Sequence, residues 1–374
     1  MTITTGNASH GPRLPVREYD DTMDRSVIKS FMERFEELAS GAVAIGALAI
    51  ADRSGLLGAM AGRGPVTIEE LAVDERGADR FAPRYVEEIL ATLAGAGVVQ
   101  YEPATNRFVL PDEHAACLTD PASPYSLAGW LDMIPAAMKS IDRLSQAAVE
   151  GGGIPLGDLD ERIVAGIDRL NSPGTRVLLT RRWLPAMPDV VAKLEAGARV
   201  ADVGCGSGTA AISLASAFPA STVVGYDVDP RAIARARDRA NASELTNLSF
   251  EMIPVAEMAG DFDLITTFDV IHDLTDPVEA LTRILTALDD HGTYLMVEPA
   301  AGTSLVDNLN PRGVLITGFS LLYCLPQSLV DGGPGLGAAW GPQRAERLCR
   351  QVGFTRFEQL PIENPYSNFF RVER

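Results

Sequence analysis

A glycine-rich loop between an apolar strand and a helix most constrains the fold of this 374-residue chain. The stretch "RVADVG" at 199–204 is typical of a buried strand, and "GTAAISLASAFP" at 208–219 is typical of a helix. Between them, Gly204, Gly206 and Gly208 form a G-x-G-x-G turn. This arrangement predicts the start of a βαβ unit, in which ligands lie at the carboxyl ends of parallel strands.

Short apolar strands and amphipathic helices go on alternating towards the C-terminus. Further strands are predicted at "TVVGYDVD", "LSFEMI", "FDLITTFDV" and "TYLMVEP", and helices at "PRAIARARDRAN", "DPVEALTRILTALDDHG" and "AERLCRQVGF". The strands "TRFEQL" and "NFFRVE" are joined only by "PIENPYS", which predicts an antiparallel hairpin at the sheet edge. Residues 197–374 are therefore predicted to form an α/β, Rossmann-like domain with helices on both faces of a mainly parallel sheet.

The chain before this domain is predicted to be mainly helical. Residues 23–118 contain helical patterns, a capping box at Thr67 and Glu70, and the alternating stretch "VVQYEPATNRFVL", which together predict a winged helix. Residues 119–196 have no convincing strand, so we expect connecting helices that also cover a substrate pocket. Residues 1–22 lack the apolar core of a signal peptide and are predicted to be a disordered leader.

Composition and charge exclude several classes of partner. The formal net charge is −18, which disfavours binding to nucleic acid or to anionic membranes. No stretch reaches the roughly 18 consecutive apolar residues of a membrane-spanning helix. The four cysteines and four histidines are scattered, so neither a disulfide framework nor a metal site is expected. We therefore expect a cytoplasmic protein without a structural metal.

The glycine loop argues against phosphate ligands but does not by itself identify the ligand. Its spacing differs from the G-x-G-x-x-G of dinucleotide enzymes, and it has no lysine of the P-loop type. Asp227 ends the next strand, where a carboxylate can accept hydrogen bonds from both ribose hydroxyls of an adenosine. Asp202, at the end of the first strand, suits a cationic amino group. A ligand with a ribose, an ammonium group and no phosphate is S-adenosylmethionine (SAM), although a loop alone could also be a turn that binds nothing.

The order of the motifs "ADVGCGSG", "VVGYDVD", "FDLITTFDVIHDLTDP" and "GTYLMVEP" resembles that of class I SAM-dependent methyltransferases. Together with "EILATLAGAGVVQYEPATNRFVLPDEHAACL", nearly the whole chain resembles actinobacterial-type small-molecule methyltransferases with an N-terminal winged helix. The resemblance implies a seven-stranded sheet, bound SAM, a small-molecule acceptor and a role in secondary metabolism. It also implies a homodimer, because related enzymes dimerise through the winged helix.

The resemblance extends the predicted cofactor site beyond the loop. Val228, next to Asp227, is assigned to the cofactor, and Phe268 and Asp269 are expected to face the methionine half of SAM. Many relatives hold the adenine amino group with an acid after the third strand, but this chain has Pro254 near that place. We expect backbone groups of residues 255–256 to contact the adenine instead.

His272 in "DVIHDLTDP" is the one candidate general base. The segment resembles the "HDWSD" segment of plant-type O-methyltransferases, whose histidine has that role, and Asp273 could orient the ring. A base is needed only for an acceptor that starts protonated, such as a hydroxyl, whereas a thioether, a selenide or a free amine needs none. A purely structural histidine before the next helix is the alternative.

Two apolar segments are predicted to line the acceptor pocket. They are residues 125–141, with Trp130, and residues 313–329, with Phe319 and Tyr323. Core packing between domains is the alternative for each of these residues.

Two other functions fit parts of the sequence. A winged-helix transcription regulator would need a basic recognition helix, but near residues 79–97 the arginines Arg80 and Arg84 stand beside Asp79, Glu87 and Glu88. A catalytically inactive SAM-binding scaffold is compatible with the loop and Asp227, because binding and turnover use different residues.

Overall fold

The computed structural model describes residues 23–374, so the predicted leader at 1–22 lies outside the described residues. The chain divides into two compact units, with the boundary between Ala44 and Ile45. Helix α1 (Arg25–Arg53) runs through this boundary. None of the helices within residues 23–374 is long and apolar enough to span a lipid bilayer.

The part of α1 before the boundary exposes a row of large apolar side chains. Phe31 is 66% exposed, and the spacing of its exposed neighbours places several of them on one side of the helix. The exposed apolar residues of this part include Val27, Ile28, Met32, Phe35, Leu38 and Val43. Large apolar side chains are seldom left in water in such a row unless they bind something.

The winged helix predicted from the sequence is present. Its helices are α2 (Leu56–Met60), α3 (Ile68–Ala72), α4 (Pro83–Gly95) and α5 (Asp112–Leu118), and its hairpin pairs β1 (Gln100–Glu102) with β2 (Arg107–Val109). The capping box at the start of α3 is confirmed, since Thr67 and Glu70 bond each other's backbone N–H groups. Buried apolar residues of the helices and the wing form one core, which includes Leu57, Leu71, Leu90 and Phe108.

Residues 119–196 form connecting helices, as predicted. They are α6 (Trp130–Ala137), α7 (Ile141–Glu150), α8 (Arg162–Leu178) and α9 (Pro188–Ala196), with a π-helical turn at Leu179–Trp183. Helices α6 and α8 approach closely because Gly129 and Gly166 face each other. A Cβ on Gly129 would lie 2.2 Å from the carbonyl oxygen of Gly166, which no side chain permits.

The C-terminal part is a seven-stranded sheet in the order β5-β4-β3-β6-β7-β9-β8, which confirms the predicted α/β class. The strands β3 to β7 run parallel, and β9 pairs antiparallel with both β7 and β8. The strands are β3 (Arg199–Val203), β4 (Thr222–Asp227), β5 (Leu248–Met252), β6 (Phe262–Phe268), β7 (Leu288–Pro299), β8 (Arg356–Gln359) and β9 (Ser367–Glu373). The helices are α10 (Thr209–Ala217), α11 (Pro230–Ala242), α12 (Pro277–Ala287), α13 (Pro311–Phe319), α14 (Leu325–Ser328) and α15 (Pro342–Val352).

Alternate side chains of the central strands enter two different cores. Val200 and Leu264 lie in one core, and Ala201 and Ile265 lie in the other, as the two-residue period of a strand requires. One expectation was wrong: the helix predicted to include "LDDHG" ends at Ala287, and β7 begins at Leu288. Leu288 pairs with Phe262 across a register shift, so tertiary pairing overrides the local helical pattern.

Arg169 of α8 joins the connecting helices to the winged helix. Its guanidinium donates two hydrogen bonds to the carboxylate of Asp52, at 2.6 and 2.8 Å, and one to Asp132 at 3.0 Å. These carboxylates hold the pKa of Arg169 above its usual range, although burial opposes the shift. Paired arginine–carboxylate bonds of this kind fix orientation as well as position.

We predict that Arg169→Met lowers the free energy of unfolding by about 1–2 kcal/mol, because it removes the cation beside the partly buried Asp52 and leaves Asp132 only its longer contact with Arg53, at 3.5 Å. Urea denaturation followed by circular dichroism measures the change. Arg84→Met is the matched control: its ion pairs with Glu87 and Glu88 are exposed on α4, so we expect a change below about 0.5 kcal/mol. Equal effects of the two substitutions would contradict a special role for Arg169.

Candidate functional site

The three loop glycines have positive φ values that other residues rarely adopt. They differ in how closely other side chains approach them. Gly204, Gly206 and Gly208 have φ of 67°, 54° and 82°. A Cβ on Gly204 would lie 2.5 Å from the side chain of Val270, and one on Gly208 would lie 2.6 Å from the ring of Phe250. Next to Gly206 the space is open. The outer glycines therefore allow packing, and the middle one leaves room beside the loop for a ligand.

Asp227 at the end of β4 holds this loop. Its Oδ2 accepts a hydrogen bond from the backbone N–H of Gly206 at 2.8 Å, and its Oδ1 accepts one from that of Asp229 at 2.9 Å. Burial raises the pKa of Asp227, and these backbone bonds oppose the rise. Each carboxylate oxygen has a second lone pair, so Asp227 can still accept hydrogen bonds from a ligand. The neighbouring Val228 is 59% exposed.

Asp202 offers an unused acceptor close to the same loop. The residue is 1% exposed, and its Oδ1 accepts a hydrogen bond from the hydroxyl of Thr266 at 2.8 Å, across the pairing of β3 with β6. Its Oδ2 is buried and has no partner among residues 23–374. Burial raises the pKa of Asp202 to about 7. A buried acceptor without a partner is costly, which suggests that a ligand supplies the missing donor.

Phe268 and Asp269 lie together where β6 ends. Phe268 packs on the ring of Trp183, with the centroids 6.3 Å apart. Asp269 has φ of 56°, an uncommon value for a residue other than glycine, and its carboxylate accepts a hydrogen bond from the amide of Asn171 at 3.1 Å. Burial raises the pKa of Asp269 to about 7. Strained residues of this kind are concentrated at functional sites.

His272 is held between two carboxylates. The residue is 2% exposed and lies in a short helical turn between β6 and α12. Its Nδ1 bonds Oε2 of Glu298 at 2.6 Å, and its Nε2 lies 3.2 Å from Oδ1 of Asp273. Burial alone lowers the pKa of His272, but the two carboxylates outweigh burial and hold it well above its ordinary value. Asp273 faces the ring, as expected from the sequence, but Glu298 makes the shorter contact.

Glu298 and Trp340 are site residues that the sequence analysis missed. Glu298 ends β7, is 2% exposed, and also accepts a hydrogen bond from the backbone N–H of Ile271 at 3.0 Å. The indole Nε1 of Trp340 donates to the same carboxylate at 3.1 Å. The sequence does contain a signal for Glu298, which is an acid near the end of the predicted strand that follows the His272 segment. Nothing in the local pattern around Trp340 indicated its contact with Glu298.

The three residues predicted to line the acceptor pocket are brought together. Trp130 of α6 meets the ring of Phe319 edge-on, with the centroids 5.4 Å apart, and Phe319 lies 5.5 Å from the ring of Tyr323. Tyr323 and Cys324 belong to a π-helical turn that follows α13. The thiol of Cys324 lies within 4.8 Å of a ring nitrogen of His272 and a carboxylate oxygen of Asp273. The aromatic wall formed by Trp130, Phe319 and Tyr323 therefore approaches the histidine.

A second contact missed by the sequence analysis fastens α8 to the glycine loop. The carboxylate of Asp168 accepts hydrogen bonds from Ser172 at 2.6 Å, from Arg239 at 2.8 Å and from the hydroxyl of Ser207 in the loop. Arg239 and the hydroxyl groups lower the pKa of Asp168, although burial opposes this shift. Helix α8 therefore contacts the glycine loop directly through Asp168.

Comparisons with known proteins agree with this architecture. Residues 194–318 match the model of a methyltransferase domain, and residues 41–120 match that of the Rv2258c-like winged HTH domain. The trans-aconitate 2-methyltransferase of Deinococcus radiodurans is 35% identical over 103 residues, which are 28% of this chain and 38% of that protein. The ubiquinone biosynthesis O-methyltransferase of Acinetobacter baylyi is 31% identical over 101 residues, or 26% of this chain and 42% of that protein. The chain therefore spans about two fifths of the length of these relatives.

Solved structures resemble the chain over almost its whole length. The mitomycin 7-O-methyltransferase MmcR superposes with a TM-score of 0.69 at 19% identity and covers 94% of this chain and 100% of its own. Human N-acetylserotonin methyltransferase, solved with SAM, superposes with a TM-score of 0.69 at 18% identity and covers 95% and 99%. At such identities the likeness concerns the fold. The chain thus carries a Rv2258c-like winged helix-turn-helix domain followed by a methyltransferase domain.

Proposed function

We propose that this protein transfers a methyl group from SAM to an oxygen, nitrogen or sulfur atom of a small molecule. The observation that carries the proposal is the arrangement at the ends of β3 and β4. There the carboxylates of Asp202 and Asp227 flank an open glycine turn, and one buried oxygen of Asp202 has no partner within residues 23–374. The match of residues 194–318 to a methyltransferase domain supports it.

The residues present fit SAM better than a nucleotide. Asp202, Asp227 and Asp269 place three carboxyl groups at the site, and burial raises the pKa of each. An ammonium or sulfonium group of a ligand would favour their ionised forms, whereas a phosphate would oppose them. We assign Asp227 to the ribose hydroxyls, the free oxygen of Asp202 to the amino group, and Phe268 and Asp269 to the methionine half. Val228 and the turn at Val255–Glu257, which follows Pro254, are assigned to the adenosine side. When bound, SAM supplies an activated methyl group on a good leaving group.

The role of this chain is to align the acceptor, exclude water and take its proton. We propose that His272 accepts the proton of a hydroxyl acceptor through Nε2, the nitrogen that lies 3.2 Å from Oδ1 of Asp273, while Glu298 holds Nδ1. A buried histidine held by a carboxylate has the arrangement of a general base, and such a base contributes about 10²- to 10⁴-fold in rate. An amine or thioether acceptor would leave His272 without this role.

The acceptor that this site suits is a small, largely apolar molecule. Trp130, Phe319 and Tyr323 form a continuous aromatic wall beside His272. Ile154, in the loop after α7, and Ile163 of α8 belong to the same apolar cluster as Tyr323. Aromatic walls of this kind bind planar apolar groups. The printed names of several structural relatives concern natural-product chemistry, such as mitomycin and calicheamicin, which supports a role in secondary metabolism.

We further propose a cytoplasmic homodimer that does not bind DNA. The apolar row on α1 suits a second copy of the same helix, because large apolar side chains there are exposed. The four cysteines are free thiols, as is usual in a reducing compartment. On α4, where a regulator would read DNA, Arg84 is neutralised by Glu87 and Glu88. That charge pattern is unfavourable for a phosphate backbone.

The proposal is tested by incubating the protein with SAM and an extract of the host and identifying methylated products by mass spectrometry. We expect a small-molecule product that gains one methyl group only when the protein is present. Isothermal titration calorimetry with SAM and S-adenosylhomocysteine tests the cofactor separately. Absence of binding at millimolar concentration would overturn the proposal.

We predict that Asp227→Asn weakens SAM binding about 10- to 100-fold. The amide replaces one carboxylate oxygen by a donor, so either Gly206 or Asp229 loses its acceptor, and the ribose loses a charged partner. Calorimetry measures the dissociation constant. Asp238→Asn, an exposed change on α11, is the control and should leave the affinity unchanged. Unaltered affinity in Asp227→Asn would show that the cofactor lies elsewhere.

We predict that His272→Gln retains SAM affinity but lowers the rate of methyl transfer about 10²- to 10⁴-fold for a hydroxyl acceptor. Glutamine can still donate a hydrogen bond to Glu298, so the buried carboxylate keeps a partner and the fold is maintained. Single-turnover kinetics with saturating SAM measure the rate. Full activity of this variant would eliminate base catalysis and favour an acceptor that needs no deprotonation.

We predict that the rate of methyl transfer rises with pH, about tenfold per unit, from neutral pH until it passes the raised pKa of His272. Below this pKa the imidazole is protonated and cannot accept the acceptor's proton. The same shift predicts that the contribution of His272 to stability is complete below its unfolded pKa of about 6.5 and is lost as pH rises through the folded pKa. A rate profile that is flat above pH 6.5, or identical in His272→Gln, would contradict this assignment.

A further inference from the structure

The loop between residues 332 and 341 contacts the backbone of His272 and the side chain of Glu298. The backbone N–H of Gly337 donates to the carbonyl oxygen of His272 at 3.1 Å, and the indole of Trp340 donates to Glu298 at 3.1 Å. Gly337 has φ of 64°, and Trp340 is among the largest fully buried side chains of the chain. This loop is far from the glycine turn in sequence, and neither contact belongs to the cofactor site.

Glu298 receives three donors on two oxygens. Its Oε1 accepts from the backbone N–H of Ile271, whereas its Oε2 accepts both from the ring of His272 and from the indole of Trp340. The last side-chain torsion of a glutamate is broad, so the carboxylate plane is set by its partners. The donors from Ile271 and His272 come from one segment, and among residues 23–374 only Trp340 fixes the carboxylate from another part of the chain.

This inference rests on the proposed function. We propose that Trp340 is a positioning residue whose indole N–H fixes the Glu298 carboxylate. Glu298 in turn sets the orientation and basicity of the His272 ring. Trp340 is buried and acts on the ring only through Glu298. Trp340 and His272 both bond Oε2 of Glu298. The indole bond therefore weakens the hydrogen bond that this oxygen can accept from the imidazolium.

The direction of the effect follows from the charges around the ring. His272 faces Glu298 at Nδ1 and Asp273 at Nε2, and Asp269 and the thiol of Cys324 also lie near it. Removing the indole donor leaves Oε2 of Glu298 to the imidazole alone. That bond becomes stronger in the protonated state of the ring, so the pKa of His272 rises further.

Trp340→Phe tests the inference, since it keeps an aromatic ring and removes the donor. We expect the rising limb of the pH–rate profile to move up by about one unit and kcat at neutral pH to fall roughly tenfold, with KM for SAM unchanged. Phe354→Leu is the packing control. Phe354 lies in the same core cluster and stacks on Tyr294 without a polar contact, so its loss should lower stability and leave the pH limb in place.

A spectroscopic measurement separates this inference from the proposed function. The chain has three tryptophans and four histidines, so Trp340→Phe identifies one of three indole N–H resonances, and long-range ¹H–¹⁵N spectra follow each imidazole. We expect His272 to titrate at higher pH in Trp340→Phe than in the wild type and in Phe354→Leu. An unmoved His272 titration in Trp340→Phe overturns the positioning role while leaving the methyltransferase proposal intact. Failure to bind SAM removes the proposed function, and the titration still tests the link between Trp340 and His272.

Discussion

The clustering of five carboxylates at one edge of the sheet is the constraint on which the site depends. Two of them are buried and the other three are partly exposed. Parallel strands bring their carboxyl ends together, and Asp202, Asp227, Asp269, Asp273 and Glu298 all lie at or just beyond those ends. Each buried charge needs a partner. Backbone amides serve Asp227, an asparagine serves Asp269, and His272 lies between Asp273 and Glu298. Among residues 23–374 one oxygen of Asp202 has no partner, and the proposed function assigns the missing donor to the amino group of the cofactor.

Helix α8 connects the parts of this arrangement. Arg169 binds Asp52 near the winged helix, Asp168 binds Ser207 in the glycine loop, and Asn171 binds the carboxylate that ends β6. Three contacts within one turn of helix therefore link the winged helix, the loop and the end of the central strand. This arrangement gives the connecting segment a structural role beyond covering a pocket.

The parts of the molecule that follow from local patterns were predictable. The strand, glycine turn and helix at 199–219, the capping box at Thr67 and the carboxylate at Asp227 each depend on residues close in sequence. Glu298 and Trp340 were not predictable in this way, because their roles arise only when β7 pairs beside β6 and a distant loop folds back. The start of β7 at Leu288 was missed for the same reason: strand pairing outweighs the helical pattern of the local residues.

The burial of the thiols of Cys205 and Cys324 lowers their reactivity as nucleophiles. Cys205 lies inside the glycine turn with its sulfur packed towards Gly225, and Cys324 lies beside His272. A thiolate is a strong nucleophile, whereas a protonated thiol reacts poorly. Burial raises the pKa of Cys205 far above its usual range and that of Cys324 to about 12. Under the proposed function, these protonated thiols would compete poorly with the acceptor for the methyl group.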